Sequence, residues 1–164
     1  MQWLYGWCQW LEHTPMALWV RDSHWGFPVI ETFHLFGIVS LVGSTSVLDL
    51  RFWGLLFRDE SVSGLVGRLV PWAWSGFAVQ VVTGFLLFSS EATRCYGNTA
   101  FLIKMGLIAL AGVNALIFHS TAYRRVAVWD SERVSPLGAK LAGLFSILLW
   151  FGIVAAGRWI AYVD

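Results

Sequence analysis

The chain has 164 residues, of which 57% are apolar and 13% charged, with a mean hydropathy of +0.64. Soluble domains carry about 25% charge, so this composition argues against a water-soluble domain. A net charge of +1 offers no bulk attraction for a polyanion, and the chain has no P-loop, no G-x-G-x-x-G and no C-x-x-C, which removes the nucleotide and dithiol chemistries those motifs carry.

The first 26 residues are aromatic and amphipathic. Leu4, Trp7, Cys8 and Leu11 recur at helical spacing, while Gln2, Gln9 and Glu12 fall elsewhere on the wheel. That pattern predicts a helix lying in a membrane interface. It does not read as a signal peptide, because a basic start is missing, Gln9, Glu12 and His13 break the apolar run, and no small-residue cleavage site follows. Residues 1–26 are therefore expected in the mature protein. Thr14-Pro15 reads as an N-cap followed by proline at the first helical position, which predicts a second short helix. Trp3, Trp7, Trp10, Trp19, Trp25, Trp53, Trp72, Trp74, Trp129 and Trp159 are expected as interfacial anchors.

Four long apolar stretches follow, at 27–48, 69–90, 100–119 and 137–161. A helix of ~22 residues reaches ~33 Å, against a hydrocarbon core of ~30 Å. The predicted fold is all-α, an integral membrane four-helix bundle with an amphipathic interfacial N-terminal segment, forming a single transmembrane domain over 1–164. Charge sets its orientation. The loops at 49–68 and 120–140 hold Arg51, Arg58, Arg68, Arg124, Arg125, Arg133 and Lys140, whereas the other side holds Arg21, Arg94, Lys104 and Arg158. Seven against four puts both termini outside, periplasmic in a bacterial inner membrane. Cys8 and Cys95 then share the oxidising side, leaving two alternatives, a disulfide or two separate buried thiols.

In the first span Glu31, His34, Leu41, Thr45 and Asp49 form one stripe, expected to face the interior. Ser40 and Ser44 make a small-residue pair suited to close helix contact. Gly76, Gln80, Thr83, Gly84 and Glu91 define the inward arc of the second span. The third brings Lys104, Asn114 and His119, with Gly112 on the face of His119. In the fourth, Gly143, Gly152, Ala156 and Gly157 look like packing positions. Asp49, Arg51, Arg58, Asp59 and Glu60 are expected to be solvated or paired at the inner edge.

Depth sorts these residues. Glu31 and Lys104 lie ~6 Å inside the outer edge and His34 ~10 Å. Glu91 and Arg158 sit near that edge, and His24 and His13 belong to the outer segment. One reading is an intramembrane Glu31–Lys104 pair that fixes helix register. The sharper reading is a metal or redox site. Glu31-x-x-His34 places a carboxylate and an imidazole one turn apart, and His24 and His13 extend the set. Glu31, His34, His24 and His13 would suit copper or zinc, with Lys104, Glu91 and Arg158 balancing charge. A haem b would draw on His34, His24 and His119, although an axial gap of ~18 Å prevents His34 and His119 from sharing one haem. No hydrolytic triad is recognisable.

The run FPVIETFHLFGIVSLVGSTSVLDLRFWG, with PWAW, VTGFLLF, NTAFLIKM and NALIFH further on, resembles an uncharacterised family of small four-span bacterial membrane proteins, a domain of unknown function. The resemblance covers nearly the whole chain. It implies a bacterial inner membrane and marks Glu31, His34, Asp49, Arg51, Lys104 and Asn114 as motif positions. The layout is also loosely similar to cytochrome b561-type and copper-resistance membrane proteins, without the paired, level histidines of the former. The expected function is metal handling or electron transfer at a His/Glu site near the outer leaflet. The alternatives are a non-catalytic membrane subunit that docks a membrane or periplasmic partner or a second copy of itself, and a proton path along Glu31, His34, Gln80 and Asn114.

Overall fold

A computed structural model describes residues 2–131 and 135–163. The chain forms α1 (Gln2–Glu12), α2 (Pro15–Asp22), α3 (Gly26–Phe52), α4 (Val62–Ser90), α5 (Ala92–Gly97) and α6 (Thr99–Ser120), then a 3-10 turn at Tyr123–Arg125, α7 (Val126–Ser131) and α8 (Leu137–Trp159). The four long helices α3, α4, α6 and α8 are apolar and long enough to cross a bilayer. The protein is thus a multi-pass helical protein whose surroundings are lipid. Arg133, counted above among the basic loop residues, lies outside the described residues.

The short elements start where their caps predict. Thr14 accepts the amide of Ala17 at 3.4 Å, and Pro15 opens α2. Helix α1 is held to α5 by Glu12, whose carboxylate accepts both the amide and the hydroxyl of Thr93 at 2.8 Å. Cys8, Leu11 and Ala92 form a small buried cluster there, while Trp3, Trp10, Trp19 and Trp25 remain exposed to anchor the surface. Trp129 departs from the expected belt: it is buried against Phe52, Val62, Val66 and Ala139, and its indole N–H donates to the Ala122 carbonyl at 3.0 Å.

The spans pack in the order α4, α3, α8, α6, so α4 and α6 are the two outer members and do not lie along one another. Aromatic side chains bridge them near one end, where Phe88 stacks on Phe101 with ring centres 5.5 Å apart. Near the other end, Phe118 of α6 packs on the cluster that holds Val62 and Val66 of α4.

Two close approaches set this arrangement. At the α3–α4 crossing, a Cβ on Gly76 would stand 2.6 Å from the Leu41 amide nitrogen and 2.9 Å from the Gly37 carbonyl oxygen. Only glycine lets the backbones meet so closely. The expected helix contact at Ser40 is also realised, with its hydroxyl donating to the Trp72 carbonyl at 2.8 Å. At the α3–α8 seam, a Cβ on Gly143 would lie 3.2 Å from Cα of Asp49.

The charges at the end of α3 and in the connection after it differ from expectation. Asp49 and Arg51 are 6% and 3% exposed, and they do not pair with each other. The Arg51 guanidinium donates twice to the Glu60 carbonyl, at 3.1 and 2.8 Å. Helix α3 runs 27 residues, or ~40 Å, so its last turn is folded under the connection to α4 instead of ending in solvent. Glu60 pairs with Arg68 at 2.5 Å, and Arg58 and Asp59 are exposed, as expected.

Candidate intramembrane polar site

His34 sits in the first half of α3 and turns toward α4. Its Nδ1 lies 2.8 Å from the Thr83 hydroxyl oxygen. Thr83 has one hydroxyl proton, which goes to the Val79 carbonyl at 2.6 Å. Toward His34, Thr83 is therefore an acceptor. With the Thr83 proton on Val79, a neutral imidazole carries its own proton on Nδ1 and its lone pair on Nε2, which has no hydrogen-bond partner among the described residues. Gln80 donates its side-chain amide to the His34 backbone carbonyl. Gly84 flanks the ring, since a Cβ there would meet His34 Cε1 at 3.3 Å.

Lys104 comes from α6 and occupies the slot left by Gly157 of α8, where a Cβ would be 3.6 Å from its Nζ. The ammonium is near enough for its charge to act on His34. Among the described residues the ion pairs are Arg21–Asp22, Arg68–Glu60 and Arg94–Glu91, so Lys104 has no carboxylate partner there. The expected Glu31–Lys104 pair is absent, because Glu31 is exposed on α3 while Lys104 turns into the bundle.

The remaining candidates do not converge. His13 is exposed beyond α1 with Nδ1 2.7 Å from the Gln9 carbonyl, and His24 is exposed in the turn before α3. Glu91 is engaged with Arg94 at 3.3 Å, and Arg158 is exposed beside Trp159 and Tyr162. His119 stacks on Tyr123 at the far end of α6, with ring centres 5.0 Å apart. Among the described residues, no three His, Cys, Asp or Glu side chains come together in a way that could hold a metal ion. The copper or zinc set of Glu31, His34, His24 and His13 is thus not assembled. Of the residues named for a haem b, His24 is exposed in the turn before α3 and His119 is exposed at the far end of α6. An ammonium without a counter-carboxylate also opposes a cation at this place.

Sequence reasoning found His34, Lys104, Gln80 and Thr83 as inward residues. It missed that Thr83 orients the imidazole and that Gly157 provides the slot for Lys104. Both were visible as small or polar residues on inward arcs, but the inter-helix register that pairs them was not.

Above this site, Leu4, Trp7, Cys8, Phe88, Tyr96, Phe101 and Leu102 line an apolar cleft of about 520 Å³ between α1, α4, α5 and α6. Cys8 and Cys95 are both buried free thiols, so of the two alternatives the fold takes the unbridged one. Burial pushes the Cys95 thiol up to about 11, with the Glu91 carboxylate adding to the effect, and burial also raises that of Cys8. Neither is a reactive thiolate at neutral pH.

No curated protein and no solved structure matches the chain, so the likeness to cytochrome b561-type and copper-resistance membrane proteins is not shown. Residues 25–163 match a family of unknown function, DUF6644, and with that match covering most of its length the chain belongs to this family.

Proposed function

We propose that this multi-pass membrane protein binds a membrane-soluble ligand carrying a hydroxyl or acid group, with His34 and Lys104 as the recognising pair. The observation that supports this reading is an imidazole held by Thr83 through Nδ1, its Nε2 without a partner among the described residues, within the electrostatic reach of an ammonium that no described carboxylate neutralises. Nε2 accepts the ligand O–H, and Lys104 faces the oxygen and favours its negative charge. The expected redox cofactor narrows accordingly to a hydroxyl-bearing organic carrier, and a metal centre loses its support. The excess of Arg and Lys in the loops at 49–68 and 120–140 favours an orientation with both termini periplasmic in a bacterial inner membrane.

A second reading, the non-catalytic subunit, is favoured by one observation: the His34–Thr83 and Gln80–His34 bonds both cross from α3 to α4 and so hold the helices together. Solvent extraction and mass spectrometry of protein purified in mild detergent separate the two. The wild type should release a stoichiometric hydroxylated or acidic compound. His34→Ala and Lys104→Met should each lose it, with affinity reduced roughly 10- to 100-fold for the loss of one strong hydrogen bond. Equal retention in both variants would defeat the ligand reading. Stoichiometric metal by elemental analysis, or a Soret band, would defeat it in favour of metal or haem.

A further inference from the structure

Asp49 plays no part in the His34 site, yet it is among the most deeply buried polar side chains in the fold. It is 6% exposed, and its Oδ2 is sealed from water without a hydrogen-bond partner. Ser146 of α8 reaches the carboxyl group. Helix α8 closes over it, with a Cβ on Gly143 lying 3.2 Å from Asp49 Cα and 3.3 Å from its Cβ and carbonyl oxygen. That leaves no space for a solvating water between the two backbones.

Among the described residues, no charged group on the elements packed around it makes an ion pair with it. On α3 itself, Arg51 spends its Nε and Nη2 donors on the Glu60 carbonyl, and its charge acts on Asp130 of α7. Asp130 in turn accepts the Val62 and Ser63 amides and the Ser63 hydroxyl. On α8, Lys140 lies one turn before Gly143 and makes no ion pair with Asp49. On α4, Arg68 is held by Glu60, and α6 offers Asn114, whose amide donates to the Ala142 carbonyl at 3.0 Å, and His119, stacked on Tyr123. None of these supplies a counter-charge. A bare carboxylate in a dry seam is far costlier than a carboxylic acid that keeps one hydrogen bond.

We propose that Asp49 is a proton-binding site: the folded chain holds it as a neutral acid, and this proton permits α3 and α8 to close at Gly143. Release of the proton would leave an unpaired charge against Gly143 and Ser146 and separate the two helices. The site is thus a proton-controlled latch, independent of the ligand at His34.

Infrared difference spectra of wild type and Asp49→Asn in detergent test this at neutral pH. The wild type should show the carbonyl stretch of a protonated carboxyl group that the variant lacks. The variant, an isostere of the neutral acid, should melt within about 3 °C of wild type. A carboxylate band assigned to Asp49 would overturn the proposal, as would Asp49→Asn melting more than about 10 °C lower. Gly143→Ala provides a second check if the Asn variant folds poorly: opening the seam to water should convert the acid band to carboxylate, and an unchanged band would overturn the role of the closed seam.

Discussion

The two helix pairs of this bundle use glycine in opposite ways. Between α3 and α4, Gly76 is a contact surface, and the Leu41 and Gly37 backbones rest on it. Between α8 and α6, Gly152 and Gly157 are slots, filled by the side chains of Leu107 and Lys104. The first pair is locked by backbone contact and by side chains that hydrogen-bond across it. The second is closed by atoms that can move. The candidate site falls between them because the rigid pair fixes an imidazole and the adaptable pair delivers an ammonium.

Substitution with alanine measures that contrast. Gly76→Ala drives a methyl into two backbone groups and should cost about 3 kcal/mol or more in thermal unfolding, since neither helix can yield locally. A cost under ~1 kcal/mol would mean that the α3–α4 contact is not rigid. Alkaline titration probes the joint between the pairs, where α5 carries Cys95. The folded state keeps the thiol protonated, so its stabilising effect is complete below the ordinary value of 9.0 and is lost as pH rises through about 11. Thermal stability should decline across that window, and the decline should shrink in Cys95→Ala. Gly152→Ala meets the Leu107 side chain, with Cδ1 at 3.1 Å and Cδ2 at 4.0 Å, and a rotamer adjustment should hold the cost to about 1 kcal/mol. Smallest of all is Glu31→Gln: with no pair to Lys104, melting should change by less than ~0.5 kcal/mol. A larger loss would restore the ion pair that the fold lacks.

Much of the architecture is legible in the residues. The four spans, the capped start at Thr14-Pro15 and the inward arcs at Gly76–Gly84 and Gly143–Gly157 all follow from hydropathy, capping chemistry and the helical period. The site was legible only in outline. His34 and Lys104 were marked by depth, but the wheel also placed Glu31 on their side, and a wheel shows direction without showing which neighbour stands there. Glu31 and His34 are one turn apart, yet the first is exposed and the second turns to Thr83. Asp49 and Arg51 failed for another reason. Their place near the end of a span suggested solvent, whereas the Glu60 carbonyl and the Gly143 backbone fold over them.

What the sequence determined by itself is the medium and the number of apolar spans, because burying backbone polar groups in lipid leaves a long apolar segment no alternative to a helix. What only the tertiary structure decided is which polar side chains meet. A helix turns ~100° per residue and rises ~1.5 Å, so small differences in crossing angle and register reassign partners among the same inward residues. The glycines at 76, 143 and 157 set those crossings. Through them Lys104 comes within electrostatic reach of His34 without pairing with Glu31, and Asp49 faces α8 with no ion pair among the described residues.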